Sequence, residues 1–254
     1  MRYLRGERVG RPWADLLEVL DADGIAAAAA GPTGTAVDAT GAAVGPVDPV
    51  EFVLSDMSGW VVSGPVGLGE QLLHRGATVL RHAHTMELDL IACPPSADWA
   101  QTPLRSGFRT VPCDRDAEEL FPAKRAAFAP GHPDHSPELD DQSRMERLAA
   151  LLAGKDIGPV LPCSRLVVDD ADQVVAGAIL TNRDGLPWIA SVFRHPDLGY
   201  PGLGGDLLRL VLADVADRGL TEVGLAVSEG NQAQRLYEKL GFRLTNTSLT
   251  VIVP

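Results

Sequence analysis

The 254-residue sequence is poor in cysteine: it has only Cys93, Cys113 and Cys163, scattered and odd in number. Three isolated thiols exclude a disulfide framework and point to reduced cysteines in a cytoplasm. No apolar run reaches membrane-spanning length, and the N-terminus lacks the charged, apolar and cleavage regions of a signal peptide. The expectation is a cytoplasmic protein that does not engage a membrane. Positive charge is also short, with 22 Lys and Arg against 34 Asp and Glu and a net charge of −12. The resulting pI of about 4.9 argues against nucleic acid as a partner, because phosphate backbones need a basic surface. It tolerates a cationic substrate. Two catalytic signatures are missing as well: no G-x-S-x-G hydrolase elbow and no G-x-x-x-x-G-K-[ST] phosphate loop. What remains is a globular composition, 45% hydrophobic and 22% charged. The length is enough for one large or two ordinary domains.

One stretch organises the rest, Val192 to Leu208. Trp188 to Phe193 is short, apolar and β-favouring. His195-Pro196 ends it, since proline has no N–H to donate. Leu207, Leu208, Val211, Leu212 and Val215 then recur at helical spacing. Gly202, Gly204 and Gly205 sit where strand gives way to helix, and a backbone without Cβ lets a ligand approach closely. The unpaired N–H groups of the helix start, with its dipole, suit a phosphate. A dinucleotide fingerprint fits poorly: the third glycine position is Leu207, and a long loop separates Phe193 from Gly202. Glu222 lies at the right distance but opens a strand. The remaining readings are an acyl-CoA pyrophosphate loop and a plain strand-to-helix turn.

The residues resemble a family here. V-x-x-x-P-x-x-x-x-x-G-x-G-x-x-L-L, from Val192 to Leu208, resembles the coenzyme A motif of the GNAT acetyltransferase superfamily, commonly written [QR]-x-x-G-x-[GA]. Gly199 stands where that motif has Gln or Arg, so one cation near the phosphates is missing, with Arg194 and Arg209 as candidate substitutes. Asn231 to Phe242, N-Q-A-Q-R-L-Y-E-K-L-G-F, resembles the second signature, N-x-A-x-x-L-Y-E-x-x-G-F, stopped by Gly241 at the usual C′ position. Two signatures in order with a strand between them, Glu222 to Val227, are more specific than either alone.

The resemblance covers roughly 105–254 and implies an α/β fold: a mixed, mostly antiparallel twisted sheet with flanking helices. Phe108–Val111 reads as a strand. A helix capped by Asp114 or Asp116 follows, with Ala117, Leu120 and Ala127 on its apolar side. Then come a polar loop over 130–142, a helix at 145–152, and a hairpin of 165–168 with 174–180 around the turn Asp169–Asp172. The organising strand, loop and helix are next, and a final strand ends near Val253. The first 104 residues, with a Pro-rich linker at 94–103, read as a smaller α/β half. A helix is expected at 13–20, a weak strand at 25–30, strands at 50–54 and 59–63, a helix at 68–74, and a strand at 78–90. With Gly76 laid over Gly241, Leu72 falls opposite Tyr237. This half is then a degenerate GNAT repeat without its tyrosine, the tandem arrangement of mycothiol synthase, or alternatively an unrelated extension.

The resemblance also implies the chemistry: acetyl transfer from acetyl-CoA to the primary amine of a small molecule or peptide by direct attack, by a monomer or homodimer. Backbone N–H groups of Val192, Phe193 and Arg194, on a strand that splays from its neighbour, would polarise the acetyl carbonyl. Gly199, Tyr200, Pro201, Gly202, Leu203, Gly204 and Gly205 would cradle the pyrophosphate, and Asn231 would cap its helix and touch the cofactor. Tyr237 would protonate the thiolate, its ordinary pKa of about 10 suiting donation to a thiol near 8.5; a core tyrosine is the structural alternative. For the base, Glu222 is one candidate, and Asp134, Glu138, His132 and His135 are others. His82 and His84 alternate on one strand face without a third ligand, so no metal is expected there. An acyl-CoA-binding sensor without catalysis is the competing function.

Overall fold

The computed structural model describes residues 2–8, 11–18 and 48–254, which form two compact units. One comprises Met1–His84 with Asn246–Pro254, the other Thr85–Thr245. The division therefore falls at 84/85 and 245/246, and the Pro-rich segment expected as a linker lies inside the second unit.

In the first unit, β1 (Arg2–Arg8) and β2 (Arg11–Glu18) form an antiparallel hairpin. β2 runs parallel to β3 (Val61–Pro65) through Trp13↔Val61 to Asp15↔Ser63. On its other side β3 pairs antiparallel with β10 (Arg243–Ile252), from Ser248↔Pro65 to Ile252↔Val61. Helices α1 (Pro49–Asp56) and α2 (Val66–His74) complete a core of Ala14, Leu16, Val53, Met57, Val62, Leu72, Leu249 and Val251.

Two expectations fail in this unit. Residues 13–18 are strand rather than helix, because Ala14 and Leu16 alternate inward with period two and the parallel ladder to β3 fixes them there. Residues 50–54 are helix rather than strand. Asp48 caps α1 by accepting the Val50 N–H at 2.8 Å, and Pro49 sits in its first turn, a start signal that outweighs the β-favouring Val and Phe. The weak strand expected at 25–30 lies outside the described residues.

The turn after α2 matches one in the second unit. Gly76 has φ +97° and Gly241 has φ +96°. The Gly76 and Ala77 N–H groups donate to the Leu73 and Leu72 carbonyls; those of Gly241 and Phe242 donate to Glu238 and Tyr237. Both helices thus close with the same left-handed cap, and Leu72 occupies the hydrogen-bonding position of Tyr237.

The second unit has strand order β4-β9-β8-β7-β6-β5: β4 (Thr78–Asp89, from residue 85), β9 (Glu222–Ser228), β8 (Leu186–Arg194), β7 (Val174–Arg183), β6 (Arg165–Asp169) and β5 (Phe108–Pro112). β5 to β8 pair antiparallel, whereas β8 and β9 are parallel. One face is covered by α5 (Leu203–Asp217) and α6 (Ala233–Lys239), with Leu207, Leu208, Val211, Leu212, Leu240 and Phe242 packed on Val175, Leu180 and Leu225. Met86, Leu88 and Leu90 belong to the same cluster, and Trp99 and Leu104 pack against it. The second cluster joins α3 (Ala117–Ala127) and α4 (Asp141–Leu152) to Leu166, Val168, Ile179 and Phe193. Of the two candidate caps for α3, Asp116 is the one that accepts a helix N–H, from Glu119 at 3.0 Å. Asp140 starts α4 earlier than expected by accepting from Ser143 at 2.7 Å.

Candidate active site

β8 and β9 meet only briefly. Their ladder consists of Trp188↔Gly224 and Ile189↔Leu225, yet β8 continues to Arg194 and β9 to Ser228. A register shift opposite Ile179/Leu180 on β7 leaves Ala190 bulged out of β8 just where the split begins. Beyond it, β8 stays bound to β7 through Ser191↔Ile179, Val192↔Ala178, Phe193↔Gly177 and Arg194↔Ala176. Among the described residues, the β9-facing edge of Val192–Arg194 has no strand partner. A split parallel pair of this kind offers main-chain donors to an elongated ligand.

Past the split comes the glycine loop. Gly202 adopts φ +100° and starts α5 without a side-chain cap. The Leu203 N–H donates to Tyr200, and those of Gly205 and Asp206 donate to Gly202. Among the described residues no acceptor meets the N–H of Gly202 or Gly204. A Cβ on Gly204 would meet nothing within 4 Å, whereas one on Gly205 would touch Leu236 of α6 at 3.3 Å. Bare N–H groups at a helix start beside open space form a fitting cradle for pyrophosphate.

Gly199 is different. A Cβ there would lie 2.8 Å from Arg194 Cγ and 3.1 Å from the His195 carbonyl, so the Gln or Arg usual at this position has no room while Arg194 stands where it does. Arg194 Nη1 donates to the carbonyls of His195, Pro196 and Gly199 at 3.0, 3.0 and 2.7 Å, tying the loop together from inside. Arg209 is paired with Asp206 at 2.9 Å. Tyr200 is buried, donates its hydroxyl to Asp206 at 2.9 Å, and lies beneath Arg105. Its side chain, like that of Phe193 in the α3/α4 cluster, belongs to the scaffold. Pro201 is exposed and Leu203 fully buried.

Tyr237 is buried on α6, edge-on to Phe242 with ring centroids 5.8 Å apart. Burial, and secondarily the Asp134 carboxylate, hold its hydroxyl well above the ordinary tyrosine pKa, so it keeps its proton at neutral pH. Asn231 precedes α6: its Oδ1 accepts the Ala233 N–H at 2.9 Å, and its Nδ2 donates to Asp134 Oδ2 at 2.6 Å. Ser228, the last residue of β9, donates to the other Asp134 oxygen. The loop after α3 thus reaches the end of β9 through Asp134, with His132 Nδ1 accepting the Asp134 N–H at 3.0 Å. His135 Nδ1 is spent on the Phe128 carbonyl at 2.8 Å, and Glu138 is exposed.

Glu222 is not brought to this group. It is exposed at the start of β9, about 20 Å from Ser228 along an extended strand, while the loop, Asn231 and Tyr237 cluster at the opposite end. The sequence reading missed Lys124 and Ser191. Lys124 Nζ lies 2.8 Å from Ser191 Oγ, next to Val192, and 5.0 Å from the centre of the Phe128 ring. Burial and the nearby Arg147 push its amine down to about 8, with Asp134 opposing. Its spacing is the signal that was available: four residues after Leu120 and three before Ala127, it falls on the apolar side of α3. Nearby, Phe121, Arg125, Ala129, Asp141, Arg144 and His195 help line a groove of about 690 Å³.

Comparison with known proteins agrees with this geometry. Residues 120–242 match the family model described as the acetyltransferase (GNAT) family. No curated protein matches the chain in sequence. Among solved structures it is similar to a GCN5-related N-acetyltransferase from Sphaerobacter thermophilus, at 20% identity and TM-score 0.54, over 76% of this chain and 59% of that one. A Drosophila protein aligns with 99% of this chain and 74% of its own, at 15% identity and TM-score 0.59. The GCN5-related glucosamine N-acetyltransferase region of a fungal multi-domain β-N-acetylglucosaminidase aligns over 98% of this chain and 31% of that one, at 10% identity and TM-score 0.55. At such identities the likeness is one of fold.

Proposed function

We propose that this chain is an N-acetyltransferase of the GNAT kind, moving an acetyl group from acetyl-CoA to a primary amine by direct attack; the match of residues 120–242 to the acetyltransferase (GNAT) family model supports the reading. The observation that carries the reading is the split of β8 from β9 after Ile189, directly before a glycine-lined helix start with unpaired N–H groups. Acetyl-CoA supplies the activated thioester. The N–H groups of Gly202 and Gly204 and the dipole of α5 hold its pyrophosphate. Main-chain donors of Val192–Arg194 line the arm that runs into the split and polarise the acetyl carbonyl.

The acceptor nitrogen attacks that carbonyl, and the departing sulfur takes the Tyr237 hydroxyl proton. Burial keeps the hydroxyl protonated at neutral pH, so its proton is there to give as the thiolate forms. Asp134, fixed by Ser228 and Asn231, is a carboxylate at this end of the sheet and is the base candidate that the geometry supports better than Glu222. The first 104 residues are read as a degenerate copy of the same fold; the matched caps at Gly76 and Gly241 support this, with Leu72 in place of the tyrosine.

Gly204→Glu tests the cradle, because Cβ of residue 204 projects into open space and a carboxylate there would meet the pyrophosphate. Calorimetry should show acetyl-CoA binding to the wild type and at least about tenfold weaker binding to the variant, roughly 1.4 kcal/mol. Equal affinity in the two proteins would remove the loop from the donor site.

A further inference from the structure

Lys124 has an unusual environment for a half-buried cation. The chain has only three lysines, at 124, 155 and 239, and this one points inward from α3 to the last stretch of β8. Its partners are a neutral hydroxyl, Ser191 Oγ, and the face of Phe128. The charged groups facing it are Arg147 of α4, which opposes it, and Asp134 of the loop, whose two oxygens already accept from Ser228 and Asn231. A half-buried ammonium with so little compensation is well placed to take an anionic partner.

Position says what that would be. Val192 packs with the α5 cluster, whereas Phe193 packs with α3 and α4. The donor loop leads into α5, so Ser191 and Lys124 lie on the opposite, acceptor side of β8, one residue from the main-chain donors at Val192. Ser191 accepts from Lys124 and keeps its own proton to give; the ammonium has two further donors. Two donors 2.8 Å apart match the two oxygens of a carboxylate.

We propose that Lys124 and Ser191 anchor the carboxylate of the acceptor, and that the acceptor is an amino carboxylate, an α-amino acid or a close relative, whose amino group faces Asp134. This rests on the acetyl-CoA reading and adds to it the class of the amine. It disfavours polyamines, and it disfavours peptide N-termini, whose α-amine has no carboxylate beside it.

The test uses paired acceptors that differ only in the carboxylate: leucine against 3-methylbutylamine, and phenylalanine against 2-phenylethylamine. Release of free CoA by the full chain gives kcat/KM for each. The wild type should prefer the amino acid of each pair by at least about tenfold. Lys124→Met should bring the ratio close to one, and Ser191→Ala should lower it, with the calorimetric Kd for acetyl-CoA unchanged in both. A purely structural lysine would lower both members of a pair together and leave their ratio alone. If Lys124→Met does not fold, Ser191→Ala alone decides through the same ratio. No preference in the wild type, or a preference that survives these variants, overturns the anchor. So does acetylation of Lys124 itself, read by peptide mass spectrometry against Lys155 and Lys239 as internal controls. If acetyl-CoA binds but no member of any pair reacts, the anchor falls and the acyl-CoA reading stands. If acetyl-CoA does not bind at all, both fall.

Discussion

Among single side chains, Tyr237 and Lys124 are the two on which the proposed chemistry turns, and burial acts on them in opposite ways. Desolvation raises the tyrosine and lowers the lysine, since each time it disfavours the charged form. For the tyrosine this preserves a proton to give. Tyr237→Phe keeps the ring packed on Phe242 and removes only that proton. It should lower kcat by about 10²–10⁴-fold while Kd for acetyl-CoA changes little; a loss of thermal stability with turnover per folded molecule intact would instead mark a structural tyrosine. For the lysine the consequence is a pH-dependent stability. Its pKa falls from an ordinary 10.5 to about 8 on folding, so between these values the unfolded chain binds more protons than the folded one. Stability contributed by this site is lowest below about 8, rises through the window, and is fully recovered above 10.5. Thermal melts of wild type and Lys124→Met should converge as pH rises from 8 towards 10.5, with the variant the more stable at the lower end; a constant difference would mean the amine is not desolvated. Tyr237 was legible because it sits inside a motif. Lys124 was not, because a lone lysine on a helix is ordinarily a solvated surface group, and only the pairing with Ser191, 67 residues away, gives it meaning.

At the scale of elements, the two glycine-capped helix ends make a quantitative comparison. Gly76→Ala and Gly241→Ala both force a side chain into the left-handed region, at roughly 1–2 kcal/mol each. A Cβ on Gly76 meets nothing within 4 Å, but one on Gly241 lies 2.9 Å from Cys93 Sγ and 3.1 Å from Leu88 Cδ1. Denaturant titration should therefore find Gly241→Ala the more destabilising of the two. Equal effects would mean that Cys93 and Leu88 yield freely. The elements of the second unit were largely readable in advance, because β6 to α6 combine clear periodicity with turn chemistry at Asp169–Asp172, Gly202 and Gly241. The first unit was less so. Residues 13–18 carry apolar spacings compatible with helix or strand, and partners distant in sequence decided between them: Trp13 lies against Val61, 48 positions on. The split of β8 from β9 follows from a bulge at Ala190 that no residue type announces. Glu222 is a base candidate that no motif fixes, and strand direction puts it at the far end of β9.

At the scale of the molecule, the compact units do not follow the chain as the Pro-rich segment suggested. Met86, Leu88 and Leu90 are buried in the larger unit's core, and Trp99 and Leu104 pack on it. A fragment spanning 105–254 would lose all five side chains and the β3 partner of β10. It should melt well below the full chain, and restoring 85–104 should recover part of the difference; a fragment as stable as the whole would place the domain boundary back at 104/105. Whether the split strands and the glycine loop serve acyl transfer is read from release of free CoA from acetyl-CoA by the full chain, across a panel of amines with wild type, Tyr237→Phe and Gly204→Glu side by side. Wild type should release CoA in an acceptor-dependent way, and both Tyr237→Phe and Gly204→Glu should release less. Tight acetyl-CoA binding with no acceptor-dependent release from any amine would contradict acyl transfer, and would make the protein an acyl-CoA sensor.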